Sequence, residues 1–293
     1  MKSILSFIFS ALSVGLIAQR NFDGVQIEPV QVSKNVHVLF GSGGNIALVM
    51  GENQNYIIDD QFAPLSDKIN FSIQQINPKP VAYVLNTHWH GDHTGGNANF
   101  AENGATIIAH DRVYDRLKTG QQSTRRNTPP AAIEALPTIS FSDQLKLRYR
   151  EDAEIHAFHV NDAHTDGDSF YFFATENVIH LGDNFFNERY PYVDISSGGD
   201  IDGMISNLYM AAGMIDDETV VIPGHGKVAN KKQLTDYANL LDLFRELVVE
   251  LREEGKSIEE IIEIRPLAEW DDTYGSGFIG PEAFLRAIFE TAD

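Results

Sequence analysis

Cysteine is missing from all 293 residues, which excludes disulfides, thiolate metal ligands and lipid attachment through a thiol. Positive charge is scarce: 22 Lys and Arg stand against 42 Asp and Glu, a formal net charge of -20. A field of that sign repels phosphate backbones and argues against nucleic acid as a partner. Low-complexity tracts and internal repeats are absent. Long apolar runs are confined to the start, "MKSILSFIFSALSVGLIAQR", where Lys2 precedes an apolar stretch from Ile4 to Ile17 and Ala18 offers a small residue for cleavage. This reads as a signal peptide over residues 1–18, because the run is short for a membrane span and no stop-transfer pattern follows. The expectation is a periplasmic or secreted protein with no membrane span once the leader is gone. Its oligomeric state is not legible.

What the chain does have is two strand-rich stretches, each carrying helices. "NVHVLFG", "NIALVMGE", "NYIIDD", "PVAYVLNT" and "ATIIAH" read as strands, the fourth apolar enough to be buried on both faces. "LSDKINFSIQQIN" has helical spacing and stops at Pro78. "GQQSTRRNTPPAAIEALP" is polar, proline-bearing and without period, so a long surface loop near Gly120 to Pro137 is expected. "TISFSDQLKLRYR", "AEIHAFHV", "SFYFFATE", "NVIHLGD" and "TVVIPGHG" read as a second set of strands. "IDGMISNLYMAAGMI", Lys231 to Glu254, "SIEEIIEI" and "PEAFLRAIFE" read as helices. Two sheets packed face to face with helices outside, a four-layer αββα sandwich of α/β class, accommodate this order. A single domain over 19–293, with a helical extension from about 229, is the expected organisation.

The chemistry concentrates in "NTHWHGDHTGGN", Asn86 to Asn97. His88 and His90 are two apart at a strand end, so both imidazoles face one spot. Gly91 lets the backbone bend, and Asp92 and His93 reach a second spot beside the first. Crowded imidazoles are costly unless something positive sits among them. Neutral imidazole and carboxylate are donors that zinc accepts. One cluster cannot close two metal shells, and three further candidates each follow a strand and a small turn: His164 in "NDAHTDGDS", Asp183 in "VIHLGDN" and His225 in "VVIPGHG".

The ordered motifs "HWHGDH", "HTDGD", "LGD" and "GHG" resemble those of the metallo-β-lactamase superfamily, over roughly Asn35 to Gly226. The resemblance implies the αββα fold and two Zn2+ ions. His88, His90 and His164 would hold the first, and Asp92, His93 and His225 the second, with Asp183 bridging. It implies a hydrolase in which a metal-activated hydroxide opens an amide, lactone or ester bond of a small-molecule substrate, β-lactams among them. Asp92 would orient the nucleophile and carry a proton, as the catalytic residue. In the secreted β-lactamase branch the Asp183 position is usually cysteine, with a lysine three residues on; here they are Asp183 and Phe186. That departure points to the branches with a bridging aspartate, the glyoxalase II type thioesterases and the acyl-homoserine lactonases. An iron-dependent redox member such as a sulfur dioxygenase, and a metal-stabilised binding protein, are the competing readings.

Around this set, Asp59 or Asp60 is expected to hold a ligand histidine by its far nitrogen, Asp59 being favoured by family analogy, and Thr165 and Asp168 to brace His164. Trp89, Phe186 and Tyr190, with Phe185 and Tyr192, are candidates for an apolar substrate pocket; Arg189 is a candidate for a substrate carboxylate. His37, His110, His156, His159 and His180 lie in or at the ends of strands and are read as non-ligands.

Overall fold

The computed structural model describes residues 21–122, 127–160 and 162–293. The expected leader at 1–18 lies outside the described residues. The first sheet begins with β1 (Glu28–Gln31), β2 (Val36–Phe40), β3 (Ile46–Met50) and β4 (Asn55–Ile58), all antiparallel neighbours. Helix α1 (Ser66–Ile76) carries the chain across to β5 (Val81–Leu85), parallel to β4. Short helices α2 (Gly91–Thr94) and α3 (Asn97–Glu102) lead to β6 (Thr106–His110), and α4 (Asp111–Thr119) follows. A small hairpin of β7 (Gln121–Gln122) and β8 (Asn127–Thr128) comes next, then β9 (Ile139–Phe141) closes the sheet beside β6.

The second sheet runs β10 (Gln144–Arg150), β11 (Ala153–His159), β12 (Ser169–Phe173), β13 (Val178–His180), β14 (Val220–Ile222) and β15 (Ala229–Asn230), in that spatial order. Helix α5 (Ile201–Met214) connects β13 to its parallel neighbour β14. After β15 come α6 (Lys231–Glu253), α7 (Ile258–Ile264), α8 (Asp271–Tyr274) and α9 (Pro281–Thr291).

Side-chain alternation explains the layering. In β3, Ala47 and Val49 point into a core shared with Ile155, Ala157, Tyr171 and Phe173 of the second sheet. Ile46 and Leu48 point the other way, onto Leu65, Ile69 and Ile73 at and within α1. The outer face of the second sheet, through Phe170, Ile179 and Val221, packs on α5, α6 and α9. The result is the helix–sheet–sheet–helix order read from the strand pattern. Helix α6 starts on a reciprocal cap: Gln233 N donates to Asn230 Oδ1 (3.0 Å) and Asn230 N to Gln233 Oε1 (3.1 Å).

Three local expectations change. "TISFSDQLKLRYR" is not a unit of the second sheet: it breaks at Ser142–Asp143, β9 joining the first sheet and β10 the second. Ser140 and Ser142 both donate to the Asp111 carboxylate on α4, which draws β9 toward β6. The expected loop around 120–137 contains the β7–β8 hairpin and a 3₁₀ turn at Ile133–Ala135, with 123–126 outside the described residues. Strand β5 is half-buried at Ala82 and Tyr83, where Tyr83 stacks on Tyr56 at 5.1 Å. Among the described residues no helix is long and apolar enough to cross a membrane.

Candidate metal centre

The ligand candidates converge where several strands end. The segment from Asn86 follows β5, Asp183 follows β13, and His225 follows β14; His164 lies in the turn between β11 and β12. Gly182 permits this close approach: its φ is +53°, and a Cβ there would strike the Thr87 side chain at 2.7 Å. Gly44 does the same on the other side, since a Cβ would fall on the His93 ring. The Asn86 carbonyl accepts from Tyr171 Oη at 2.7 Å, fixing the start of the turn.

Two groups of donor atoms form, each within 4.8 Å of one another: His88, His90, His164 and Asp183 in one, Asp92, His93 and His225 in the other. Asp183 lies between them. Its Oδ1 is 3.1 Å from His93 Nε2, and its Oδ2 is 3.4 Å from His225 Nε2, 3.5 Å from His164 Nε2 and 3.9 Å from His88 Nε2. Asp92 Oδ2 lies 3.5 Å from His225 Nε2, and its side chain is 30% exposed, so this carboxylate faces solvent as well as the second group. Among the described residues His37, His110, His156, His159 and His180 give no atom to either group. His110 and His159 instead stack on each other at 3.7 Å, and His180 bonds the Asn45 carbonyl.

Four of the histidines are held by their outer nitrogens, each by a different partner. His93 Nδ1 donates to Asp59 Oδ2 (2.7 Å). Thr87 Oγ1 donates to the same Asp59 oxygen (2.8 Å), and therefore accepts from His88 Nδ1 (3.0 Å). His164 Nδ1 donates to the Tyr192 carbonyl (2.5 Å), and His90 Nε2 to Asp194 Oδ2 (2.9 Å). These acceptors put the ring protons outward. The inner nitrogens then face each other bare: His90 Nδ1 stands 2.8 Å from His164 Nε2 and 3.0 Å from His88 Nε2.

Electrostatics splits the set. Burial, with the neighbouring His93 and His164, pulls His88 well below the ordinary imidazole range; burial also brings His164 down to about 4. Burial alone would depress His93 too, yet the Asp183, Asp59 and Asp92 carboxylates hold it well above normal. His225 is likewise buried, and Asp183 lifts it to about 9. Burial opposes ionisation of Asp92 and Asp183, but the histidines around them outweigh it and hold both carboxyls below the usual range.

The flanking residues sort less simply. Asp59 contacts His93 directly; Asp60 is turned away, accepting from Gly96 N at 2.8 Å, and burial pushes its carboxyl well up. Asp168 accepts from the backbone N–H of His164 (2.8 Å) and Thr165 (2.9 Å), and from Thr165 Oγ1 (2.5 Å). The pair thus braces the turn and not the imidazole, and burial raises Asp168 to about 7. Phe186 stacks on His225 at 5.3 Å. Trp89 and Tyr190, read as pocket residues, are core side chains instead. Trp89 packs with Ala109, Val113 and Leu117, and Tyr190, 1% exposed, packs against Phe244 and Phe284 under α6 and α9. Phe185 is buried against Tyr237. Tyr192 does reach the site, its ring 5.7 Å from that of His90. Arg189 is exposed, its side chain beside Gly277.

Asp194, Thr87 and the Tyr192 carbonyl were not singled out from sequence. Asp194 precedes "ISS", and Ser196 and Ser197 both donate to it at 2.6 Å. That pattern is indistinguishable, in sequence, from an ordinary turn before a helix.

The sequence model described as the metallo-beta-lactamase superfamily matches residues 40–225. The chain is 25% identical over 174 residues to "Hydroxyacylglutathione hydrolase" of Polaromonas sp., covering 59% of this chain and 59% of that relative's length. It is 21% identical over 243 residues to "Metallo-beta-lactamase type 2" of Bacteroides fragilis, covering 77% of this chain and 90% of that one. The fold is shared with a metallo-beta-lactamase from Pontibacter korlensis, at a TM-score of 0.63 and 14% identity over 74% of this chain and 99% of that one.

Proposed function

The chain belongs to the metallo-beta-lactamase superfamily, and on that premise we propose that it is an exported, dinuclear zinc hydrolase that opens an amide, lactone or ester bond. The observation that carries this reading is the set of bare imidazole nitrogens turned toward one another. Lone pairs packed at 2.8–3.0 Å repel unless a cation draws them in. The Asp183 carboxylate stands between the two groups, its Oδ2 3.5 Å from His164 Nε2 and its buried Oδ1 3.1 Å from His93 Nε2. Imidazole and carboxylate without thiolate suit zinc.

His88, His90 and His164 would hold one ion, Asp92, His93 and His225 the other, and Asp183 both. A metal pair held by these residues would supply a hydroxide near neutral pH and polarise a scissile carbonyl. The chain's own part is orientation and proton handling. Asp92 is kept ionised and partly exposed, placed to accept a proton from the attacking water and return it to the departing atom. The outer partners Asp59, Thr87, Asp194 and the Tyr192 carbonyl keep each ring in the tautomer that presents a lone pair. Phe186 stands where the secreted β-lactamases usually have lysine, and its stacking on His225 offers no cation to a drug carboxylate. β-Lactams are therefore the weaker substrates in this reading.

A second reading, a thioesterase of the glyoxalase II type, is favoured by the similarity to hydroxyacylglutathione hydrolase. Metal analysis and a substrate panel separate these. Two zincs per chain with turnover of an aryl ester or an acyl-homoserine lactone is the expected result. A preference for a glutathione thioester moves the assignment to the second reading. One iron per chain with thiol-persulfide oxidation, or zinc-loaded protein inert across the panel, overturns both.

A further inference from the structure

We propose that Phe278 and Tyr192 form an aromatic shelf at the entrance of the site that binds an apolar acyl group of the substrate. The proposal rests on the hydrolase reading for its substrate, and on a separate set of contacts for its geometry.

Phe278 is 81% exposed, the most exposed large hydrophobic side chain among the described residues. A lone exposed apolar residue is unremarkable, but this one is continuous with the metal centre. Its ring meets that of Tyr192 edge-on at 6.1 Å. The Tyr192 ring in turn stacks on His90 at 5.7 Å and meets His164 at 5.7 Å. An unbroken aromatic path thus runs from two candidate ligands of the first group to solvent. Ile195, directly after Asp194, is 40% exposed and extends the apolar character of the same segment.

The outward pose is built, not loose. Phe278 lies in "GSGFIG" between α8 and α9, and the next residue, Ile279, is 6% exposed within the helical core. On the other side, Tyr274 O accepts from Tyr190 N at 2.9 Å. With Ile279 anchored beside it, the ring is presented to water at a cost that a bound apolar group would recover.

The test compares zinc-loaded full chain with Phe278→Ala, Phe278→Leu and a control, Phe71→Ala, whose side chain is 67% exposed on α1. The readout is the ratio of kcat/KM for p-nitrophenyl decanoate to that for p-nitrophenyl acetate. Phe278→Ala is expected to lower that ratio by about tenfold, through KM, as fits the loss of one apolar contact surface. Phe278→Leu should recover most of it and Phe71→Ala should leave it in place. A ratio unchanged in Phe278→Ala, or lowered as much by Phe71→Ala, overturns the shelf. If the wild-type chain hydrolyses neither ester, the hydrolase reading is decided by the wider substrate panel, and calorimetric titration with decanoate against acetate reads the shelf directly. Weaker decanoate binding in Phe278→Ala then supports it, and equal binding overturns it. Loss of a dimer in Phe278→Ala by sedimentation, with the ratio intact, assigns the ring to a contact between copies and also overturns it.

Discussion

Asp194 Oδ2 sits 2.9 Å from His90 Nε2, although 104 positions separate the two residues. Among the described residues no other histidine ring of the first group is bonded to a carboxylate through its outer nitrogen. Asp194→Asn keeps the shape and removes the charge that fixes the His90 tautomer. The first-group zinc affinity should fall by about 10- to 100-fold, with the second little changed. Competition against a chromophoric chelator measures both, and equal affinities in mutant and wild type would count against the role.

Thr87 and Asp59 should separate by the reach of their effects. Thr87→Val removes the hydroxyl that orients His88, while Asp59 keeps the position 87 backbone N–H and its bond to His93, so the first group is expected to weaken more than the second. Asp59→Asn disturbs His93 directly and His88 through Thr87, so both groups should weaken together. Asp59 is fully buried, and its loss should also cost about 1–3 kcal/mol of stability. Two-step chelator titrations distinguish the patterns; identical curves for the two variants contradict the relay.

Asp92→Asn, assayed at saturating zinc, should lose kcat by about 100-fold or more while KM moves little, as expected for a group handling a proton in the transition state. A variant with near-normal kcat removes Asp92 from the chemistry.

Stability of metal-stripped protein should peak near neutral pH and fall on both sides. His225 is raised to about 9, so its contribution is complete below its unfolded value of 6.5 and is lost as pH climbs through 9. His164 is lowered to about 4, so the fold is penalised as pH drops from 6.5 toward 4, where the unfolded chain takes up the proton first. Urea unfolding in chelator at pH 5, 7 and 9.5 reads this, and a monotonic trend contradicts it. Zinc should flatten the curve and raise Tm.

How much of this was readable from residue order differs by distance along the chain. His88, His90, Asp92 and His93 lie within six positions and announce themselves. His164, Asp183 and His225 were legible because each follows a recognisable strand and a glycine-bearing or small turn. The four-layer fold was legible from alternation in strands such as β3. Asp194 was not, because its partner is far away and its neighbours imitate a routine turn. Trp89 and Tyr190 misled because a buried aromatic and a pocket aromatic share one pattern; what decides is the packing of α4, α6 and α9, which a linear reading does not contain. Splitting of β9 from β10 escaped for the same reason, resting on serine contacts to Asp111.

Tyr190 ties its own segment to the C-terminal helices, through its backbone to Tyr274 and its hydroxyl to Asp271 at 3.0 Å. The residues just beyond it supply the Tyr192 carbonyl and the Asp194 carboxylate. A chimera that inherits every ligand but takes its last three helices from another protein would therefore misplace two of the braces behind the ligands. Such a hybrid would lose its grip on metal while its recognisable motifs stayed intact, and engineers exchanging tails among relatives should select for compatibility at position 190 first.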